Sequence, residues 1–321
     1  MLFRSIIASQ AEIHARYGGV VPEVAARSHI EVILPVIDEA LSKASCSWDD
    51  IDAIAVTTGP GLIGSLIIDV MSARTLAITK NKPLVAINHI WAHAFASFLG
   101  EHRPEFPFLA LTVSGGHTTL SLYDADLGRK LLGETLDDAA GEAFDKVAKL
   151  LGLGYPCGPA ISEAATKGNQ NAYKFPVAKL GKNSLDFSFS GLKTAVLRQI
   201  QQISGENPGA ATAKKTYGLS ESVICDIAAS FQKAVVDALV NQTLKAYLRY
   251  SPKALVVGGG VACNHMLRQK LTEALPNAVF VPPVLCTDNA AMIGALAQQK
   301  LNKGLTIDPY LIKADSSLEA I

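Results

Sequence analysis

The sequence has five cysteines (Cys46, Cys157, Cys225, Cys263 and Cys286) and no C-x-x-C pair among them. An odd number spread this widely argues for reduced thiols, not a disulfide frame. No apolar run reaches membrane-spanning length, and the opening Met1-Leu2-Phe3-Arg4-Ser5-Ile6-Ile7 is too short for a secretory signal. A soluble, cytoplasmic protein is expected. Neither sign of charge is in excess: Lys+Arg and Asp+Glu both number 29. A protein that grips nucleic acid unaided is usually basic, so any such role needs a local patch or a partner. There is no G-x-x-x-x-G-K-[ST], which excludes a P-loop, and a Rossmann dinucleotide reading is weak. What is abundant is apolar material: 49% hydrophobic against 18% charged over 321 residues, enough for one large fold or two domains.

The most informative stretch is Asn88-His89-Ile90-Trp91-Ala92-His93. It follows the strand-like run Leu84-Val85-Ala86-Ile87 and opens a helix-like run to Leu99. Histidines at i and i+4 share a helix face, one turn apart, so both imidazoles can reach one metal ion. A single His on an apolar face is usually a core residue; a pair at the mouth of a strand points to a metal. The H-E-x-x-H signature of zinc peptidases is the obvious comparison, but Ile90 stands where its general base would be.

Along the chain, residues 1–10 read as the end of a strand and Gly18-Gly19 as a turn. A helix runs from Pro22 to about Ser45, with Pro35 a candidate kink. Strand 52–57 enters Gly59-Pro60-Gly61-Leu62-Ile63-Gly64, a tight turn or an anion cradle ahead of a helix. Strand–helix–strand–helix order argues for an α/β sheet. A second round begins at Pro107. Strand 108–113, the Ser114-Gly115-Gly116-His117 tip and strand 119–123 make a hairpin able to wrap a phosphate. A helix follows Asp137-Asp138, with Asp138 and Asp145 able to share a face. Residues 169–219 read as polar and irregular, with lysines 174, 179, 182, 193, 214 and 215, and with Phe187 and Phe189 interleaved. The strand 254–257 ends in Gly258-Gly259-Gly260 before a helix that starts near Asn264, again suited to an anion. Thr287 or Asp288 is the expected N-cap of a last helix, and residues after Lys303 read as a loose tail.

Several motifs occur in a fixed order. They are Gly18-Gly19-Val20-Val21-Pro22-Glu23, Gly59-Pro60-Gly61-Leu62, His89-x-x-x-His93, Val113-Ser114-Gly115-Gly116-His117-Thr118, Asp137-Asp138-Ala139-Ala140-Gly141-Glu142-Ala143-Phe144-Asp145-Lys146, Phe187-Ser188-Phe189-Ser190-Gly191-Leu192-Lys193 and Cys286-Thr287-Asp288-Asn289. Together they resemble the tRNA N6-adenosine threonylcarbamoyltransferase family, over roughly residues 5–303. The resemblance implies an α/β actin-like/Hsp70-like (ASKHA) duplicated fold of two lobes around a cleft. Lobe one would be residues 1–106, with a C-terminal helix of about 288–303 packing back on it. Lobe two would be 107–287, and 304–321 a tail.

The resemblance also implies a divalent metal, iron or zinc, on His89, His93 and Asp288. It implies ligand contacts at Thr112, Val113, Ser114, Gly115, Gly116, Asp145, Gly158 and Asn264. The reaction implied is transfer of threonylcarbamoyl from threonylcarbamoyl-AMP to the N6 amine of the adenosine beside the anticodon. The implied partners are tRNA, a TsaB-like paralogue and a TsaE-like ATPase. The alternatives are a sialoglycoprotease-type metallopeptidase and a non-catalytic scaffold of the same fold. Relative to the family pattern, this sequence lacks an opening hairpin bearing Glu-Thr-Ser-Cys-Asp-Asp-Thr, which suggests a late start codon. Cys157 replaces a Gly, Ser162 an Asp and Cys263 an Ala.

Overall fold

The structure is a computed structural model with side chains. It describes residues 5–10, 13–14, 17, 21–154, 156–178, 180–205 and 218–318. The Gly18-Gly19 turn and lysines 179, 214 and 215 lie outside the described residues. The chain divides into two compact units, Met1–Arg103 with Thr287–Ile321, and Pro104–Cys286.

In the first unit, helix α1 (Pro22–Ala44) starts with a proline in its first turn, where a missing N–H costs nothing, and ends on Ser45 in the left-handed region, φ 54°. Pro35 does not split it. Strands β1 (Ile54–Gly59) and β2 (Leu84–Asn88) pair in parallel, Ile54 against Leu84 through Thr57 against Ile87. Helix α2 (Ile63–Thr79) connects them and packs on both α1 and β1. The core here is Val56, Val70, Ala73, Ala77, Leu84 and Ile312.

Residues 5–10, expected as a strand end, carry no secondary structure. The presumed tail is also different. Ile307 donates its backbone N–H to Leu84 O (2.9 Å), Asp315 N donates to Thr58 O (2.8 Å), and Ile312 is core. Residues beyond Lys303 thus pack on β1 and β2, because Ile307 and Ile312 are apolar and sheet backbone is there to pair with. The same segment resolves the first glycine turn. Gly59, Gly61 and Gly64 do follow β1 at G-x-G-x-x-G spacing. But a Cβ on Gly59 would lie 2.0 Å from Asp315 O, and Gly61 N–H points to Ser316 O at 3.4 Å. The turn is closed by the chain's own residues, which favours the tight-turn reading over an anion cradle there.

The second unit holds a five-stranded sheet, order β5-β4-β3-β6-β7. Strands β3 (Phe108–Val113), β4 (Thr118–Tyr123) and β5 (Arg129–Glu134) form an antiparallel meander, while β6 (Ala254–Gly258) and β7 (Val279–Phe280) add in parallel. Every residue of β3 and β6 is buried, as continuous apolar runs in central strands require. Between β5 and β6 lie α4 (Ala140–Leu150), α5 (Cys157–Thr166), α6 (Ser190–Ser204) and the long α7 (Glu221–Tyr250). After β6 come a 3-10 turn (Gly260–Cys263), α8 (His265–Ala274) and α9 (Pro283–Cys286).

The stretch expected to be irregular contains α6, whose Leu192, Val196 and Ile200 recur every fourth residue and are buried. Phe187 and Phe189 stack at 6.1 Å and are buried, so they are core side chains rather than aromatics interleaved with surface lysines. Among the described residues, no helix is long and apolar enough to cross a membrane.

Candidate metal centre and ligand loops

Strand β2 ends at Asn88, whose side chain accepts hydrogen bonds from Ile90 N (2.9 Å) and Trp91 N (3.3 Å). This N-cap starts helix α3 (His89–Phe95) with His89 as its first residue. His93 follows one turn on, its ring 5.0 Å from that of His89 and nearly perpendicular to it. The third residue comes from the far end of the sequence. Asn289, not Thr287 or Asp288, caps helix α10 (Ala290–Asn302), accepting from Met292 N at 2.9 Å. The cap lies one residue later than expected, so the Asp288 carboxylate is not the helix cap. Helix α10 packs against α3 and β2, bringing Asp288 Oδ1 to 3.5 Å from His89 Nε2 and 3.4 Å from His93 Nε2.

The three donor atoms lie within 4.8 Å of one another. Two donors of a tetrahedral ion with bonds near 2.1 Å are about 3.4 Å apart, so these separations suit a shared ion. Burial adds a second test. The His93 side chain is 1% exposed, and both its ring nitrogens are buried without a hydrogen-bond partner. An orphaned buried polar atom costs about 1–3 kcal/mol, and coordination at Nε2 would remove one such cost. Two imidazoles and a carboxylate are donors that suit iron or zinc. The residues therefore fit a metal.

The other predicted residues all fall in the second unit. Thr112 and Val113 end β3 with buried side chains, in register with Thr119 and Thr118 of β4. Ser114, Gly115 and Gly116 form the hairpin tip, where Ser114 N donates to His117 O (2.8 Å) and His117 N to Ser114 Oγ (3.1 Å). Neither Gly115 nor Gly116 has a positive φ, and a Cβ on either would meet no protein atom within 4 Å. Backbone conformation does not explain these two glycines; open space above them is consistent with a close ligand. Gly141 has an internal reason: its Cβ would strike Ser114 O at 2.5 Å, because α4 begins against the hairpin tip, and Ala140 N donates to Thr118 Oγ1 (2.9 Å). Gly259 (φ 90°) likewise approaches Val113 O.

Asp145 sits on the exposed side of α4. Surrounding protein raises its carboxyl, with Glu142 adding to the effect and Lys149 and the Cys157 thiol opposing it. The Cys157 contact ties Asp145 to the start of α5, where a Cβ on Gly158 would also meet open space. Asp138 does not share this face. It precedes the helix and pairs with Lys146 at 2.6 Å. Asn264 caps α8 through Leu267 N (3.0 Å) and donates to Gln232 Oε1 (2.7 Å) and Ser162 Oγ (3.1 Å). Its side chain is thus committed within the protein.

Gln232 was not singled out from sequence; its neighbours Ser230 and Lys233 make it one of several polar residues in α7, and only packing shows that it is buried against Asn264. Asp137 is similar. Its carboxylate accepts from Ser188 Oγ, Ser190 Oγ, Phe189 N and Ser190 N, and against burial these bonds hold it below the usual range. A separate cavity of about 560 Å³, bordered by Lys182, Asp186, Ser188, Asn241, Gln242 and Lys245, includes none of the predicted ligand residues.

A family model described as tRNA N6-adenosine threonylcarbamoyltransferase matches residues 1–295. Curated proteins of that name are similar along nearly the whole chain. The one from Kosmotoga olearia is 48% identical over 308 residues, 95% of this chain and 88% of its own. The one from Dictyoglomus turgidum is 47% identical over 315 residues, 97% and 90%. Among solved structures, HypF of T. kodakarensis superposes with a TM-score of 0.58 at 15% identity, covering 84% of this chain and 43% of that one. A full-length HypF gives 0.55 at 16% identity, covering 79% and 40%. At such identities these two show the fold alone, and that fold is actin-like/Hsp70-like. By the family model and the relatives, the chain belongs to the tRNA N6-adenosine threonylcarbamoyltransferase family.

Proposed function

We propose that this chain performs its family's reaction with a metal held by His89, His93 and Asp288 and with threonylcarbamoyl-AMP held by the second unit. The threonylcarbamoyl group passes to the N6 amine of the adenosine next to the anticodon, in tRNAs reading codons that begin with A. The observation that carries the metal assignment is His93, buried with two unpartnered nitrogens and facing Asp288 at 3.4 Å.

The chemistry asks little covalent work of the protein. The amine nitrogen attacks the carbamoyl carbon of a mixed anhydride, the bond to the phosphate oxygen breaks, AMP leaves, and the nitrogen loses a proton. An exocyclic adenine amine is a poor nucleophile, so holding it against the anhydride supplies much of the rate. Gly115 and Gly116 at the tip offer backbone N–H groups and the space in which a ligand can approach them. Asp145 meets the Cys157 thiol at the start of α5, and Asn264, just past the Gly258–Gly260 loop, is fixed by Gln232 and caps α8. The metal, when bound, supplies Lewis-acid or templating chemistry at ligand oxygens. Iron is the ion proposed, on the two-histidine, one-carboxylate donor set; zinc is the second candidate.

A peptidase reading has no support: Ile90, buried, occupies the place of the base. tRNA is the acceptor, and a TsaB-like paralogue and a TsaE-like ATPase are the proposed helpers. The test is single-turnover transfer from supplied threonylcarbamoyl-AMP to an anticodon stem-loop, with metal content read by native mass spectrometry. His93→Ala should lose the ion and slow transfer at least about a hundredfold. A variant that keeps both metal and rate would refute the assignment.

A further inference from the structure

Next to Asn264, the second unit brings two cysteines close together. Cys263 ends the 3-10 turn Gly260–Cys263 with an exposed thiol, and Cys286 ends α9 fully buried. The two segments pack together: the Cys263 thiol points to Pro283 O at 3.9 Å, on the same short helix that Cys286 ends, and the Cys286 thiol donates to Val281 O at 3.3 Å. Arg268 is fixed beside them by bonds to Ala262 O (2.6 Å) and Val281 O (2.8 Å), with its guanidinium 3.7 Å from Cys286 Sγ. The Phe280 ring lies 5.0 Å from that guanidinium. An exposed thiol, a buried thiol on the helix packed against it and an anchored cation are the parts of a reactive dithiol.

We propose that Cys263 and Cys286 form a hydroperoxide-responsive pair, in which Cys263 is oxidised first and Cys286 closes a reversible disulfide onto it. In the first step the Cys263 thiolate attacks a peroxide oxygen, and the O–O bond breaks. Sulfur gives up two electrons to become a sulfenic acid, and hydroxide or an alcohol leaves. In the second, Cys286 sulfur attacks Cys263 sulfur. The S–S bond forms, the S–O bond breaks, and the oxygen departs as water with the Cys286 proton. A dithiol reductant restores both thiols by exchange.

Reactivity supports the order. The neighbouring Cys286 thiol, then the Arg268 charge, hold the Cys263 thiol below the usual cysteine range, against the opposing effect of burial. The thiolate is the nucleophile, so the exposed thiol whose ionisation is favoured is the one that meets the peroxide first. The bridge would tie the turn leading into Asn264 to the residue two before Asp288. An effect on transfer therefore rests on the site assignment above; the thiol chemistry does not.

The test treats the reduced full chain with hydrogen peroxide, blocks free thiols and maps trypsin fragments. Peptides 254–268 and 271–300 should become cross-linked with a loss of about 2 Da, reversed by dithiothreitol. Cys286→Ser should instead leave a Cys263 sulfenic acid that dimedone traps. Cys263→Ala, a change at an exposed position, should abolish the cross-link. Cys46, the other exposed thiol, is the internal control. The proposal is overturned if Cys46 reacts faster than Cys263, or if Cys263 goes on to the sulfinic acid without a cross-link while Cys286 is present. It is also overturned if the disulfide joins other cysteines.

Discussion

Single residues in this protein act through what surrounds them, and two acidic ones show opposite signs. Asp145 has a carboxyl raised by the protein around it, so its ionised form is disfavoured by folding. Its contribution is most favourable below the unfolded pKa near 4 and is lost as pH rises through the raised folded value. Asp145→Asn should therefore raise the thermal midpoint at pH 7, with the gain shrinking as pH falls towards 4, while adenylate binding weakens. Asp137 is the reverse. Burial opposes ionisation, but four hydrogen bonds from Ser188, Phe189 and Ser190 outweigh it and depress the folded pKa. Its contribution is present above about pH 4 and disappears as pH falls through the depressed value. Asp137→Asn should cost about 1–2 kcal/mol at pH 7 and less in acid. Urea denaturation of both variants across pH checks the pair: equal shifts, or the same pH trend, would contradict these environments.

At the scale of elements, the hairpin tip and the start of α4 separate ligand space from packing. Gly141→Ala forces a Cβ onto Ser114 O, so it should displace helix from hairpin, lower stability and weaken adenylate binding together. Gly115→Ala meets no protein atom; the fold should keep its melting temperature while adenylate affinity falls at least about tenfold, because a methyl then stands where the ligand must approach. Calorimetry of unfolding alongside binding reads both. The C-terminal segment makes the same kind of argument for the first unit. Ile312 belongs to the β1–β2 core, and Ile312→Ala should cost about 2–4 kcal/mol in denaturant unfolding. A negligible cost would mean that residues past Lys303 do not complete this core.

For the whole molecule, charge is the governing quantity. Basic and acidic side chains balance at 29 each, and binding to RNA depends on how many phosphates a protein neutralises. The chain alone should bind tRNA weakly at physiological salt, with a partner supplying the remaining contacts. Lys193 lies on the first turn of α6, beside the buried Leu192, and is partly exposed. Lys193→Glu should weaken anticodon stem-loop binding and flatten its dependence on salt, as measured by fluorescence anisotropy. Asp145→Ala should leave RNA binding intact. Tight binding by the lone chain, or identical behaviour of the two variants, would undo this division.

Local sequence pattern determined much of this by itself. The i, i+4 histidines after a strand, the alternating and continuous apolar runs, and the order of the glycine motifs marked an α/β protein and its family, because helix and strand periods are written in neighbouring residues. Pairings between distant residues were decided only by the tertiary structure. Asp288 meets His89 and His93 because α10 packs on α3, nearly two hundred residues away in sequence. Phe187 and Phe189 read as aromatics interleaved with lysines, yet both are buried and stack on each other. The segment past Lys303 read as loose until β1 and β2 provided its partners. Two cysteines twenty-three positions apart became a pair only when α9 folded onto the Gly260–Cys263 turn. Burial and proximity are properties of the packed chain, and a one-dimensional pattern carries them only where the contacts are local.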